Sequence, residues 1–195
     1  MKTFDTFVVK LDKKLKDTVS TKGGLELYID PRFNEYDNRI TEGPVVCVPF
    51  KYKTNVKVGD TLYFHHLVVL NDGQPLMGED SHYLVKYSPS ITINNQAFAY
   101  KNKKGEIKLL SGWTLLESVE QEELKLKSDI IELVDQKETL PTKGRVAYTA
   151  PWVEDLGIEV GDVVGFKKNR DYRISIDGKE YYRTRAEDLM YVVTE

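Results

Sequence analysis

Leu25, Leu27 and Ile29 are apolar side chains at alternate positions, preceded by Ser20-Thr21-Lys22 and the pair Gly23-Gly24. The chemistry such a stretch offers is not covalent. Alternation sets the three apolar groups on one side of an extended segment, where they need a partner face. The Gly pair adds backbone freedom, and the small polar residues before it give no reason for burial. Either the folded body covers these side chains, as in an ordinary edge or core strand, or another protein does, as with a recognition loop.

Other residue types with chemical potential form weaker patterns. His65, His66 and His82 are the only histidines, and adjacent imidazoles with a third downstream are a conceivable metal set, as in cupin barrels. Adjacent strand residues point to opposite faces, however, which separates His65 from His66 and favours structural or surface roles. Cys47 lies in the apolar run Val45-Val46-Cys47-Val48, which favours a buried inert thiol over a nucleophile. No Ser-His-Asp, Walker or zinc-ribbon spacing occurs. The residues therefore point to no catalytic group, no metal ligand and no cofactor. Lys101-Asn102-Lys103-Lys104, beside Phe98 and Tyr100, could touch RNA, but a net charge of -3 favours a solvated hairpin tip.

The elements that must position these residues are strands. With 195 residues, 41% of them hydrophobic, the chain can build one large or two small domains. No apolar run approaches the roughly 20 residues needed to span a bilayer, and the N-terminal residues lack the apolar core of a signal peptide. With a single cysteine and no internal disulfide, this composition suggests a cytoplasmic protein. Short β-rich runs separated by turn signals recur along the chain: Thr6–Leu11, Val45–Val48, Thr61–Val69, Tyr83–Tyr87, Ala97–Tyr100, Glu106–Leu110, Trp113–Val119, Ile130–Val134, Lys143–Tyr148, Ile158–Phe166, Arg173–Ile176, Glu180–Arg183 and Asp188–Val193. Asn102-Lys103-Lys104-Gly105 and Asp177-Gly178-Lys179 read as hairpin turns. Glu120–Lys127 reads as a connecting strand or linker. No amphipathic helix of useful length appears, so a barrel or sandwich is expected.

The two halves repeat one another. Glu42-Gly43-Pro44-Val45-Val46 parallels Lys143-Gly144-Arg145-Val146-Ala147, and Val56-Lys57-Val58-Gly59-Asp60 parallels Ile158-Glu159-Val160-Gly161-Asp162. Trp113–Val119 and Glu187–Val193 are taken as the two terminal apolar runs. Two Val-Gly-Asp turns in the same order of elements favour tandem copies of one small β-barrel.

With a first strand, the Ser20–Leu27 loop, the Gly43–Val45 strand, Val56–Asp60 and a closing apolar run, the chain resembles the GroES-type co-chaperonins, the chaperonin-10 family. In that family a Gly-Gly pair followed by an apolar-x-apolar triplet lies in a mobile loop that docks on the apical domain of the large chaperonin ring. The resemblance implies an all-β fold of two tandem GroES-like small β-barrels. The first would span 1–127, with the mobile loop at about 12–38 and an insertion at about 70–95. The second, shorter one would span 128–195 without such a loop. The implied chaperonin-binding residues are Gly23, Gly24, Leu25, Glu26 and Leu27, expected to be poorly ordered or held by crystal neighbours when unbound, and Glu26 departs from the usual apolar middle residue. The implied function is to cap a GroEL-type chaperonin and assist ATP-dependent folding, without hydrolysing ATP. The implied partners are that chaperonin and further copies of the chain in a ring, expected as a heptamer, with no nucleic acid and no membrane. The implied location is the cytoplasm, or the host cytoplasm if the chain is phage-encoded. The gap Pro49–Asn55 is short for the family's roof hairpin, and Leu70–Asn95 has no counterpart in the simple pattern. A cupin-like metal-binding barrel or enzyme using His65 or His66 with His82, and a structural assembly protein reusing the barrel, are the alternatives.

Overall fold

The computed structural model describes residues 2–20, 23–31, 38–69, 74–76, 79–90, 95–119, 142–170 and 172–193. They divide into two compact units, Met1–Ser111 and Gly112–Glu195. In the first unit, β1 (Thr6–Lys10), β4 (Glu42–Cys47), β5 (Thr61–Phe64), β6 (Gln74–Leu76), β7 (Glu79–Lys86), β8 (Ala97–Lys101) and β9 (Ile107–Leu109) form one sheet. Its strand order is β6-β7-β1-β4-β5-β8-β9. A separate two-stranded hairpin, β2 (Thr18–Ser20) and β3 (Glu26–Tyr28), leaves the chain between β1 and β4.

In the second unit, β10 (Trp113–Ser118), β11 (Lys143–Thr149), β12 (Val163–Phe166), β13 (Tyr172–Ile176), β14 (Lys179–Arg185) and β15 (Leu189–Val193) form a sheet ordered β13-β14-β10-β11-β12-β15. A one-turn helix, α1 (Pro151–Glu154), follows β11, with proline at its first turn where a missing N–H costs nothing. Position for position, β1, β4, β5, β6, β7 and β8 correspond to β10, β11, β12, β13, β14 and β15, in chain order and in sheet order alike. Within the seven-stranded sheet, only β9 lacks an equivalent among the described strands.

Chemistry visible in the sequence explains the shared frame. Alternation in β4 turns Val45 and Cys47 inward and Val46 outward, and β11 buries Val146 in the same way. The Val-Gly-Asp turns then lock these strands. Val45 N–H donates to Asp60 O at 2.9 Å and its carbonyl accepts Gly59 N–H at 2.8 Å; Val146 makes the same pair with Asp162 and Gly161, both at 2.8 Å. Each Asp carboxylate closes its own turn, accepting Lys57 N–H or Glu159 N–H at 2.8 Å. Gly59 and Gly161 hold φ of +88° and +102°, a backbone region that side chains disfavour. Phe7, Val9, Val45, Leu62, Phe64 and Val85 pack in the first core. Leu116, Val146, Val164 and Phe166 pack in the second. Elsewhere in the second unit the Arg183 guanidinium lies 4.8 Å from the centroids of both the Trp113 and the Tyr172 rings.

Several sequence expectations shift. The unit boundary falls at Ser111/Gly112, not after Lys127, because Trp113–Ser118 pairs with β11 and β14 and so opens the second sheet. The equivalent of Leu189–Val193 is consequently β8, which pairs with β5 as β15 pairs with β12. The supposed insertion at about 70–95 contains β6 and β7, the counterparts of the β13–β14 hairpin. Alternation alone did not separate these cases, since the strands are short and the motifs mark the β13–β14 hairpin but not its counterpart β6–β7. The readings at Glu120–Lys127 and Ile130–Val134 lie outside the described residues. Between β4 and β5 no roof hairpin forms among the described residues. Phe50 N–H and Lys51 N–H bond instead to the carbonyls of Thr3 and Phe4, at 3.0 and 2.9 Å.

Gly144 faces β10 so closely that an added Cβ would stand 2.7 Å from Leu116 Cβ and 3.2 Å from Glu117 O. Both are atoms near or within backbone, which a rotamer change does not move. Gly144→Ala is therefore expected to destabilise the second unit by about 1–3 kcal/mol. Both tryptophans, Trp113 and Trp152, lie in that unit, so the urea midpoint by Trp fluorescence reads it directly. An unchanged midpoint would remove the close approach as a constraint.

Candidate functional site: the hairpin between the first two core strands

The chain leaves β1 at Lys10, and Leu11 is still anchored, its side chain buried and its N–H bonded to Ser81 O at 2.8 Å. Beyond it a narrow ladder runs outward. Ile40 N–H donates to Lys14 O at 3.1 Å and Lys16 N–H to Asn38 O at 2.7 Å, with Leu15 bridged to Arg39. Ile29 N–H then donates to Asp17 O at 2.9 Å, and β2 pairs with β3 in the register Thr18–Tyr28, Val19–Leu27, Ser20–Glu26. The expected site residues sit at and beside the tip. Gly23 and Gly24 lie in the turn, with Gly24 at φ +79° and open space where a Cβ would be.

Leu25 and Leu27, two apart, share a face of the strand and are 62% and 47% exposed. Glu26 and Tyr28 take the other face, and Tyr28 is 77% exposed. Described Gly23–Tyr28 is thus exposed throughout and regular only through its backbone pairing. The segment expected to be poorly ordered has hairpin structure over its described part, because Thr18-Val19-Ser20 supplies a β-competent partner strand.

The base of the hairpin carries an ion pair: Lys13 Nζ lies 2.8 Å from Asp17 Oδ2. Hydrogen bonding to Lys13 holds the Asp17 carboxyl below its usual range. The same bond to Asp17 holds the Lys13 ammonium above its own, with smaller contributions from Tyr28 and Glu26. Both groups are solvent-exposed, so the pair orients the base and adds little to global stability.

The other candidates do not assemble into a site. His66 opens a 3-10 turn, His66–Val69, so strand alternation does not govern this pair. The His65 and His66 rings lie tilted against one another with centroids 4.1 Å apart. His65 Nδ1 accepts Leu67 N–H at 3.2 Å, and His82 is on β7 beside Ser81. Among the described residues no three His, Cys, Asp or Glu side chains converge as metal ligands would. Cys47 is buried, its Sγ 3.6 Å from Thr3 Oγ1.

The sequence pattern of the family "Chaperonin 10 Kd subunit" matches residues 106–193. A "Co-chaperonin GroES" from Coprothermobacter proteolyticus is 35% identical over 95 residues, covering 95% of that protein and 45% of this chain. The chain belongs to the chaperonin-10 family. Its all-β fold is accordingly that of two tandem small β-barrel domains, and membership supports a co-chaperone role.

The family match runs from β9 through β15, so apart from β9 it falls on the second unit, whereas the motifs drew attention to the first. Seen from that unit, one signal was missed. Residues 119–142 connect β10 to β11 just as residues 11–41 connect β1 to β4. Most of that connection lies outside the described residues, but its sequence includes Ile131-Glu132-Leu133, the apolar-Glu-apolar order of Leu25-Glu26-Leu27. Reading Trp113–Val119 as the end of the first copy hid the connection.

If the Lys13–Asp17 pair holds the base, its contribution is present above the ordinary carboxylate range and lost as pH falls through the depressed Asp17 value. Acidification through that range is expected to shift and broaden the Ile29 amide in NMR spectra while the Val45 amide stays fixed. A titration in which both amides move together would trace the change to the core and not to the hairpin base.

Proposed function

We propose that the chain is a co-chaperonin that caps a GroEL-type chaperonin ring, docking through Gly23, Gly24, Leu25, Glu26 and Leu27, and assists ATP-dependent protein folding without itself hydrolysing ATP. The observation that carries this reading is the exposure of Leu25 and Leu27 on one face of a hairpin, in a chain of this family. Covering a leucine contributes about 1.5–3 kcal/mol, and ordering the segment offsets part of that. One hairpin therefore binds weakly. Several on one ring bind tightly through effective concentration, and the cap can still be released loop by loop. Gly24 lets the tip adjust to the groove, and Glu26 and Tyr28 face away from the apolar contact. The cytoplasm, or a host's cytoplasm, is where such a partner would be met.

Self-association into a ring, with seven chains matching a seven-fold chaperonin, completes the reading. It is supported by β15, the outermost strand of its sheet, whose Met190, Tyr191, Val192 and Val193 are all exposed. A second reading concerns loop number. The sequence of residues 119–142 and the place of that connection favour a further docking segment at Ile131-Glu132-Leu133.

Leu25→Asp/Leu27→Asp is expected to abolish ATP-dependent complex formation with a GroEL-type ring, measured by co-sedimentation, while leaving the circular dichroism spectrum unchanged. Parental binding by this variant together with loss in Ile131→Asp/Leu133→Asp would move the docking site to the second unit; parental binding by both would remove it from either connection. Native mass spectrometry is expected to give seven chains, and a monomer at working concentration would exclude a ring cap.

A further inference from the structure

The first unit carries a concavity beside its Val-Gly-Asp turn. A cavity of about 550 Å³, within the usual range of small-ligand sites, lies between the Val-Gly-Asp turn and the β8–β9 hairpin. Lys57, Lys103, Lys104 and Lys108 line it, against one carboxylate, that of Asp60. Asp60 is buried, with its Oδ2 committed to Lys57 N–H at 2.8 Å. Lys108 Nζ is 3.8 Å from Glu106 Oε2 and Lys104 also acts on that carboxylate through its charge, whereas Lys57 and Lys103 form no ion pair among the described residues. Ammonium groups gathered around one concavity repel each other, and a multiply charged anion relieves that repulsion.

The tip that brings two of these lysines in is prebuilt. Asn102 Oδ1 accepts Lys104 N–H at 2.9 Å and Glu106 N–H at 3.0 Å, and Asn102 Nδ2 donates to Glu106 Oε2 at 2.8 Å. The Lys103 side chain crosses the bare face of Gly59, its Nζ 3.3 Å from where a Cβ would stand. A residue with a side chain at position 59 would displace it. The second unit has the same Val-Gly-Asp turn but no β9 equivalent among the described strands, so this cavity is an addition to the barrel and not a requirement for closing it.

We propose that this cavity binds a linear oligophosphate anion, held by Lys57, Lys103, Lys104 and Lys108. Lysine ammonium groups recognise phosphate as point charges, and four of them lining one cavity match an anion that carries several charges. Nucleotides and single-stranded nucleic acid fit less well, because they depend on an exposed ring for base stacking. The one aromatic in the lining, Tyr100, is only 4% exposed.

Isothermal titration of the full-length protein with inorganic tripolyphosphate at about 50 mM salt is expected to show saturable binding that weakens as salt is raised. Lys103→Ser/Lys104→Ser, at exposed tip positions, is expected to weaken it by about tenfold or more. Lys143→Ser/Lys168→Ser, which removes equal charge from exposed sites on the second unit, is expected to leave it unchanged. Equal loss in both double variants, absence of binding, or equal affinity for sulfate at matched ionic strength would overturn the proposal. So would markedly tighter binding of ATP or of single-stranded DNA, either of which would require base recognition. Leu25→Asp/Leu27→Asp should keep full tripolyphosphate affinity, which separates failure of this site from failure of the docking hairpin.

Discussion

Each barrel depends on one reciprocal pair of hydrogen bonds, between the valine of the second core strand and the Gly-Asp turn that begins the third. Val45 with Gly59 and Asp60, and Val146 with Gly161 and Asp162, make the same two bonds at nearly the same lengths. The turn needs glycine for its positive φ and aspartate to cap its own amide, so few other dipeptides would serve. Once it forms, the direction of the third strand against the second is set, and with it the side on which the remaining strands add. The close packing of Gly43 and Gly144 against the first strand of each unit completes the arrangement.

That frame makes the connection between the first two core strands conspicuous. Adjacent antiparallel strands can be joined by a two-residue turn. Here residues 11–41 do the joining, through an outward ladder and a hairpin whose tip is exposed. Chain beyond what strand pairing requires carries an ordering cost, and a protein that keeps it in pairing-competent form has a backbone ready to present side chains. The ladder at Lys14–Ile40 and Lys16–Asn38 gives Leu25 and Leu27 a defined direction while keeping them clear of the core. In the docking role proposed for it, a partly formed hairpin would lose less entropy than a fully disordered loop, and its leucines would need to contribute less.

The two units share six strand positions but differ at their edges. In the first, β9 covers β8, which is buried along most of its length; in the second, the equivalent β15 is the outermost described strand, and Met190, Tyr191, Val192 and Val193 are exposed while Leu189 packs on the core. One added hairpin therefore closes an edge in the first unit and, with its basic tip, builds a charged concavity against the turn. In the second no such hairpin covers β15 among the described residues. The divergence between copies is thus concentrated at edges and connections, where change does not disturb the shared turn lock.

Much of this was legible in the sequence. The repeated Val-Gly-Asp turns, the Asn102 and Asp177-Gly178 hairpins, the all-β class and the tip at Gly23-Gly24 rest on local rules: which residues accept positive φ, which side chains cap amides, and which runs alternate. Tertiary pairing decided the rest. Trp113–Ser118 looks equally like a closing or an opening strand, and only its partners β11 and β14 assign it to the second unit. The hairpin β6–β7 read as an insertion until it took the place of β13–β14. His65 and His66 looked opposed until a 3-10 turn brought their rings together. The sequence by itself determined which local conformations are cheap, because those depend on neighbours a few residues away. Which strand lies beside which, and so which lysines share a cavity and which leucines are left uncovered, depends on contacts between distant residues that no local pattern encodes.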